Sequence, residues 1–148
     1  NEVNSFLAPS GALAVIDLNG FKKINDSLGH QIGDSVLREV SSRFSRNCEE
    51  GSLLVRQGGD EFVLLMKENG ISPIEYSRRL ASTLTYPISV GSEEISLGVS
   101  IGFVQFSTLL SSNIELTLEN ALRAADQAMY QSKKDGSGIT QWSPELIT

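Results

Sequence analysis

Two apolar runs, Leu53-Leu54-Val55 and Phe62-Val63-Leu64-Leu65-Met66, flank a Gly58-Gly59 pair. Runs of that length around two glycines predict a β-hairpin with its turn at the glycines. The hairpin constrains more than local structure. It puts Asp60 and Glu61 side by side on a turn held by backbone, and two adjacent carboxylates there suit a hard divalent cation, which prefers oxygen ligands. Taken alone, Gly58-Gly59-Asp60-Glu61-Phe62 also fits a turn whose charges serve only solubility.

The rest of the chain alternates helical and strand patterns. Residues 12–18 are an apolar run that carries Asp17 toward its tip, as a strand would. Residues 21–28 are short and helical. Asp34 caps or opens a second helix, in which Val36, Leu37, Val40 and Phe44 recur at helical spacing. Pro73 sits where a first helical turn tolerates it, and a helix over 74–84 follows. Residues 95–106 are strand-like, with Gly98 and Gly102 as candidate bulges. Leu118, Ala121, Leu122, Ala125 and Met129 make one apolar face of a last helix, and 139–142 is a short closing strand. Helices interleaved with hairpin strands predict an α+β fold with an antiparallel sheet.

Composition sets limits on function. The chain has 148 residues, 40% hydrophobic and 20% charged, which suits one ordinary folded domain with a real core. No apolar run is long enough to span a bilayer and no signal peptide is visible, so the domain is expected in the cytoplasm without direct membrane contact, even if a parent protein is anchored through other segments. The single Cys48 has no internal disulfide partner. A net charge of −6 argues against a nucleic-acid surface. It does not exclude a nucleotide, whose phosphates a bound metal and local lysines can offset.

Four separated motifs then share one pattern. They are Asp17-Leu18-Asn19-Gly20-Phe21-Lys22-Lys23-Ile24-Asn25-Asp26, Leu28-Gly29-His30 with Gly33-Asp34, Gly58 to Phe62, and Ala125-Asp126-Gln127-Ala128-Met129-Tyr130-Gln131-Ser132-Lys133. In this order the chain, from about Leu13 to Trp142, resembles the GGDEF family of diguanylate cyclases. The resemblance implies a ferredoxin-like, nucleotide-cyclase (palm-like) core with a mainly antiparallel central sheet flanked by helices. It implies synthesis of cyclic di-GMP from two GTP, by a homodimer in which each subunit holds one GTP. It also leads to the expectation that the chain is a single GGDEF domain cut from a longer protein, because the segment that relatives carry before the first strand is absent. Residues 142–146 resemble the linker into an EAL phosphodiesterase domain, so covalently linked sensory or EAL domains are expected partners.

The chemistry of phosphodiester formation asks for positioning and charge stabilisation, which Mg2+ or Mn2+ would supply. Asp17 at a strand tip and Asp60 at the turn are the expected ligands. By resemblance the Leu18 carbonyl completes them, and Glu61 supports a second ion or the attacking hydroxyl. Gly20-Phe21-Lys22 opens a helix whose free amides suit phosphate. Lys22 and Lys133 either neutralise the triphosphate or belong to solvated helix faces. An ionised Asp accepts only, which fits the two donors on one edge of guanine. By resemblance Asp34 takes that part and Asn25 bonds the base from the facing helix; a helix cap is the other role open to Asp34. His30, expected in the turn between the two helices, either lies near the base or closes a local hydrogen bond. Gly58 and Gly59 complete the expected substrate site.

Three departures from the family pattern matter. Relatives often carry an Arg-x-x-Asp product-inhibition site where this chain has Glu49-Glu50-Gly51-Ser52. Gly136-Ser137-Gly138 stands where relatives have Gly-Arg-Asn, so the arginine that grips the terminal phosphate is missing. Asn19 replaces a frequent Asp and is expected to face away from Asp17, with a structural effect only. The missing arginine bears on a second reading, in which the domain binds GTP and regulates an attached EAL domain without efficient turnover.

Overall fold

The computed structural model describes residues 2–68 and 70–146. Its centre is β1 (Ala12–Asn19), buried along its length except at Asn19. A strand buried on both faces reads as a continuous apolar run rather than as an alternation, which is the pattern of residues 12–16. β1 pairs antiparallel with β3 (Glu61–Met66) on one side and β6 (Gly98–Gln105) on the other. β2 (Leu53–Arg56) closes one edge as the hairpin partner of β3, and β7 (Ile139–Gln141) adds to β6 in parallel. The order is β2-β3-β1-β6-β7.

Side-chain alternation divides the core into two layers. Ala12, Ala14, Ile16 and Leu18 face α2 (His30–Arg46) and α3 (Pro73–Ser82). Leu13 and Val15 face α5 (Leu118–Asp135) and the short α4 (Phe106–Ser111). Phe44 of α2 meets Phe62 of β3 edge-to-face at 5.2 Å, which ties the hairpin to the helix layer. The four strands β2-β3-β1-β6 with α2 and α3 on one face make the expected ferredoxin-like, palm-type core. α1 (Phe21–Leu28) bridges β1 to α2. A separate small hairpin, β4 (Ile88–Val90) with β5 (Glu93–Ile95), follows α3.

Several local expectations change. Ile95 belongs to the small hairpin rather than to β6, and Phe106 opens α4. α3 ends at Ser82 and passes into a 3-10 turn, Thr83–Thr85. Gly98 and Gly102 lie in regular register with Asn19 and Val15, so neither is a bulge. Gly102 serves close approach instead: a Cβ there would lie 2.0 Å from the Met129 amide nitrogen of α5. Gly29, with φ +92°, separates α1 from α2, so His30 is the first residue of α2 rather than part of a turn. Asp34 lies a full turn inside that helix, so it is not its cap. Asn19 accepts a hydrogen bond from Ser100 Oγ at 3.1 Å, and Ser100 is the cross-strand partner of Asp17. Asn19 is therefore on the same face as Asp17, as residues two apart on a strand must be.

Candidate active site

The antiparallel pairing of β1 and β3 brings the end of one strand to the start of the other. Asp17 stands opposite Glu61, and the Leu18 amide donates to the Asp60 carbonyl at 3.0 Å. The turn closes when the Gln57 amide donates to the Glu61 carbonyl at 2.7 Å. Gly58 takes φ +78° there, a conformation that favours glycine, whereas Gly59 does not need positive φ. The carboxylates of Asp17, Asp60 and Glu61 are thus gathered at one end of the sheet by backbone geometry.

Asp17 is 6% exposed. Burial pushes its carboxyl above the usual value, and Asp60 and Asp126 push the same way. Lys133 of α5 opposes them through an ion pair with Asp17 Oδ2. Glu61 is also raised, by burial first and then by Asp126, Asp17 and Asp60. Asp126 is the residue that sequence reasoning missed. It lies within the last of the four motifs but was assigned no role, and α5 places it beside Glu61 in a cavity of about 340 Å³ with Gln57 and Arg123.

A larger cleft of about 540 Å³ opens over the strand ends. Asp17, Leu18, Gly20, Phe21, Lys22, Asp60 and Lys133 line it, with Ser132, Gly136 and Gly138 on the far wall. Gly20, at φ +82°, turns the chain from β1 into α1 without any side-chain cap, which leaves the first amides of the helix open toward this cleft. The Phe21 side chain is buried in the core, so only its backbone faces a ligand. Lys22 is exposed and, among the described residues, has no carboxylate partner. Ser137, at the position of the family arginine, spends its amide on Asp135 Oδ1 at 2.9 Å.

Among the described residues no three His, Cys, Asp or Glu side chains are gathered tightly enough to hold an ion by themselves. The donor set nevertheless fits magnesium or manganese. Such ions take one or two carboxylates together with substrate phosphates rather than an all-protein cage. Asp17, Asp60 and the Leu18 carbonyl are hard oxygen donors, and mutual repulsion among the acids favours a cation between them.

The expected base-site residues lie apart from this cleft. Asn25 of α1 rests against Gly33, where a Cβ would lie 1.7 Å from Asn25 Oδ1. That oxygen is buried without a hydrogen-bond partner. Asp34 is exposed and lines a different cavity of about 420 Å³. His30 is exposed at the start of α2.

Comparison with known proteins identifies the family. The family described as “Diguanylate cyclase, GGDEF domain” matches residues 7–138. The chain belongs to the GGDEF family. It is 35% identical over 133 residues to “Cyclic di-GMP phosphodiesterase PdeR” of Escherichia coli K12, covering 88% of this chain and 19% of that protein. It is 36% identical over 132 residues to “Response regulator PleD” of Caulobacter vibrioides, covering 86% and 28%. The chain thus spans under a third of the length of these relatives. An EAL/GGDEF domain protein from M. capsulatus superposes with a TM-score of 0.80 at 30% identity, over 96% of this chain and 94% of the other. The GGDEF neighbours share the nucleotide-cyclase palm fold. No helix among the described residues is long and apolar enough to cross a membrane.

Proposed function

We propose that this GGDEF domain is a diguanylate cyclase that condenses two GTP into cyclic di-GMP and pyrophosphate as a homodimer. The observation that carries this reading is the meeting of Asp17, Asp60 and Glu61 at one sheet end, under a cleft walled by the α1 N-terminus and Lys133. In the reaction a 3′-hydroxyl gives up its proton to solvent and attacks an α-phosphate, the bond to the pyrophosphate oxygen breaks, and pyrophosphate leaves with the negative charge; the step occurs twice, once for each GTP. Magnesium or manganese, held by Asp17, Asp60 and the Leu18 carbonyl, would lower the hydroxyl pKa and neutralise the phosphates. Glu61 supports a second ion or the attacking hydroxyl. Lys22 and the amides following Gly20 bind phosphate oxygens. Lys133 would leave Asp17 for the terminal phosphate once a nucleotide is bound. Asn25, Asp34 and His30 orient the guanine. Two such sites face each other across the two-fold axis, so each subunit contributes one nucleotide.

Ser137 favours a second reading. Without the arginine, the terminal phosphate loses a charge-assisted fork, and the domain would serve as a GTP-binding module that regulates an attached EAL domain. The test is to incubate a dimeric form of the full-length protein with GTP and magnesium. Cyclic di-GMP in the products supports the cyclase. GTP binding with no product supports the regulatory module.

A further inference from the structure

Asp34 and Arg38 lie four residues apart on α2, a spacing and order at which an acid and an arginine ordinarily pair on a helix face. Here they form no pair. Arg38 Nη2 donates instead to Ser35 Oγ at 3.0 Å. Arg56, at the end of β2, donates from Nη1 to the Gly59 carbonyl at 3.2 Å. Among the described residues neither guanidinium has a carboxylate partner. Between them lies the cavity of about 420 Å³, lined by Asp34, Leu37, Arg38, Ser41 and Arg56.

We propose that Arg38 is a specificity-determining residue that reads O6 and N7 of the guanine whose N1–H and 2-amino group Asp34 accepts. The inference rests on the reading of GTP as substrate and extends it to the opposite edge of the base. Asp34 alone is an incomplete filter, because an acceptor can still take one bond from the 6-amino group of adenine. An arginine offers only donors. It matches the O6 and N7 acceptors of guanine in a bidentate fork and meets a like donor at the 6-position of adenine. Leu37, between Asp34 and Arg38 on the same helix, supplies an apolar contact for the ring. Arg56 is engaged by the turn and closes the strand side of the cavity, whereas Arg38 stands one helical turn from Asp34 on the same helix, so the two can grip adjacent edges of one base.

Calorimetric titration with 3′-deoxynucleoside triphosphates tests this, because they lack the attacking hydroxyl and cannot turn over. Three bases are compared: guanine, hypoxanthine without the 2-amino group, and 7-deazaguanine, which keeps O6, N1–H and the 2-amino group but has no N7. Arg38→Met is expected to weaken the guanine nucleotide about tenfold, within the range for a bidentate arginine–guanine pair. It should weaken the 7-deazaguanine nucleotide by no more than about threefold, since one of the two acceptors of the fork is already gone. Arg38→Lys, which keeps the charge and loses the fork, should recover only part of the affinity. Equal weakening of both nucleotides, or of neither, overturns the assignment. Asp34→Asn compared on guanine and hypoxanthine separates the two levels. Coupling there without coupling at Arg38 sinks this inference alone, and no coupling at either position also removes guanine from this cavity.

Discussion

The hairpin of β2 and β3 has an acidic segment at each end of β2, and the two could hardly be treated more differently. At the Gln57–Asp60 turn, Asp17, Asp60, Glu61 and Asp126 crowd together, and Lys133 is the cation set against them. At the 49–52 turn Glu49 and Ser52 are both engaged. Glu49 Oε2 pairs with Arg79 Nη1 at 2.6 Å, and the Glu49 amide and Ser52 Oγ both meet the buried Tyr76 hydroxyl. Polar groups saturated by internal partners stabilise the fold. Groups left in repulsion are costly to the fold and available to a ligand. The same short strand therefore separates a structural turn from a candidate reactive one.

The sharpest way to break this contrast is Asp60→Asn. The turn rests on Gly58 and on backbone bonds, so the fold should survive. Cyclic di-GMP formation by the dimeric protein should fall by about 10²–10³-fold, the scale for losing one electrostatic group at such a centre. Chromatographic assay of the product checks it. Turnover at the native rate would mean that the carboxylate is as idle as one in a solubilising turn.

At the saturated turn the expected loss is stability, not turnover. Tyr76→Phe strands the Glu49 amide and leaves Ser52 Oγ only its bond to the Glu49 carbonyl, and should cost about 1–3 kcal/mol in urea unfolding. Burial pushes the Tyr76 hydroxyl up to about 12. A raised pKa means that the folded state holds the proton more tightly. The advantage of wild type over the Phe variant should then be complete below pH 10 and fade as pH rises toward 12. An unchanged urea midpoint would show that the Tyr76 bonds add nothing.

Glu61→Gln probes the other end with the opposite sign. Removing one charge from the acid cluster should stabilise the metal-free protein by about 0.5 kcal/mol, a small figure because solvent screens a half-exposed group. The raised Glu61 pKa means that ionisation is disfavoured in the fold, so the gain should be present at neutral pH and vanish as pH falls below 4.5. Thermal unfolding at pH 7 and pH 4 reads both. A loss of stability at pH 7 would place Glu61 among the saturated groups.

Much of this contrast was legible in the chain, and the part that was not has a physical cause. Gly58-Gly59 between apolar runs defined the hairpin, and the apolar run ending at Asp17 defined its neighbour, so the meeting of Asp17 with Asp60 follows from strand pairing. Asn19 was also legible, since a period of two puts it beside Asp17, and its expected orientation was simply wrong. The start of α2 was hidden because Gly29 offers no side-chain cap, which left Asp34 as the apparent one. Asp126 was hidden for another reason. Its helical spacing says which face of α5 it occupies, but its approach to Glu61 depends on how α5 seats on the sheet. The partners of Glu49 were hidden in the same way, because Arg79 and Tyr76 arrive from α3, about thirty residues later.

The smallest expected effect is an absence, and it bears on the saturated turn most directly. Relatives with Arg and Asp at the positions of Glu49 and Ser52 present a fork to the phosphates of the product. Here Glu49 and Glu50 set negative charge against a dianion. The nearest guanidinium, Arg79, is already committed to Glu49, so engaging it would first require breaking that pair and leaving Glu49 beside the incoming phosphate. Product binding at this turn should therefore give no measurable heat at micromolar concentration. Calorimetric titration of cyclic di-GMP into the Asp17→Asn, Asp60→Asn double variant removes the active site from the measurement. A submicromolar Kd that persists in that variant, and disappears with Arg79→Ala, would show that Arg79 can exchange Glu49 for the product, and the distinction between saturated and available groups would fail at its best-paired residue.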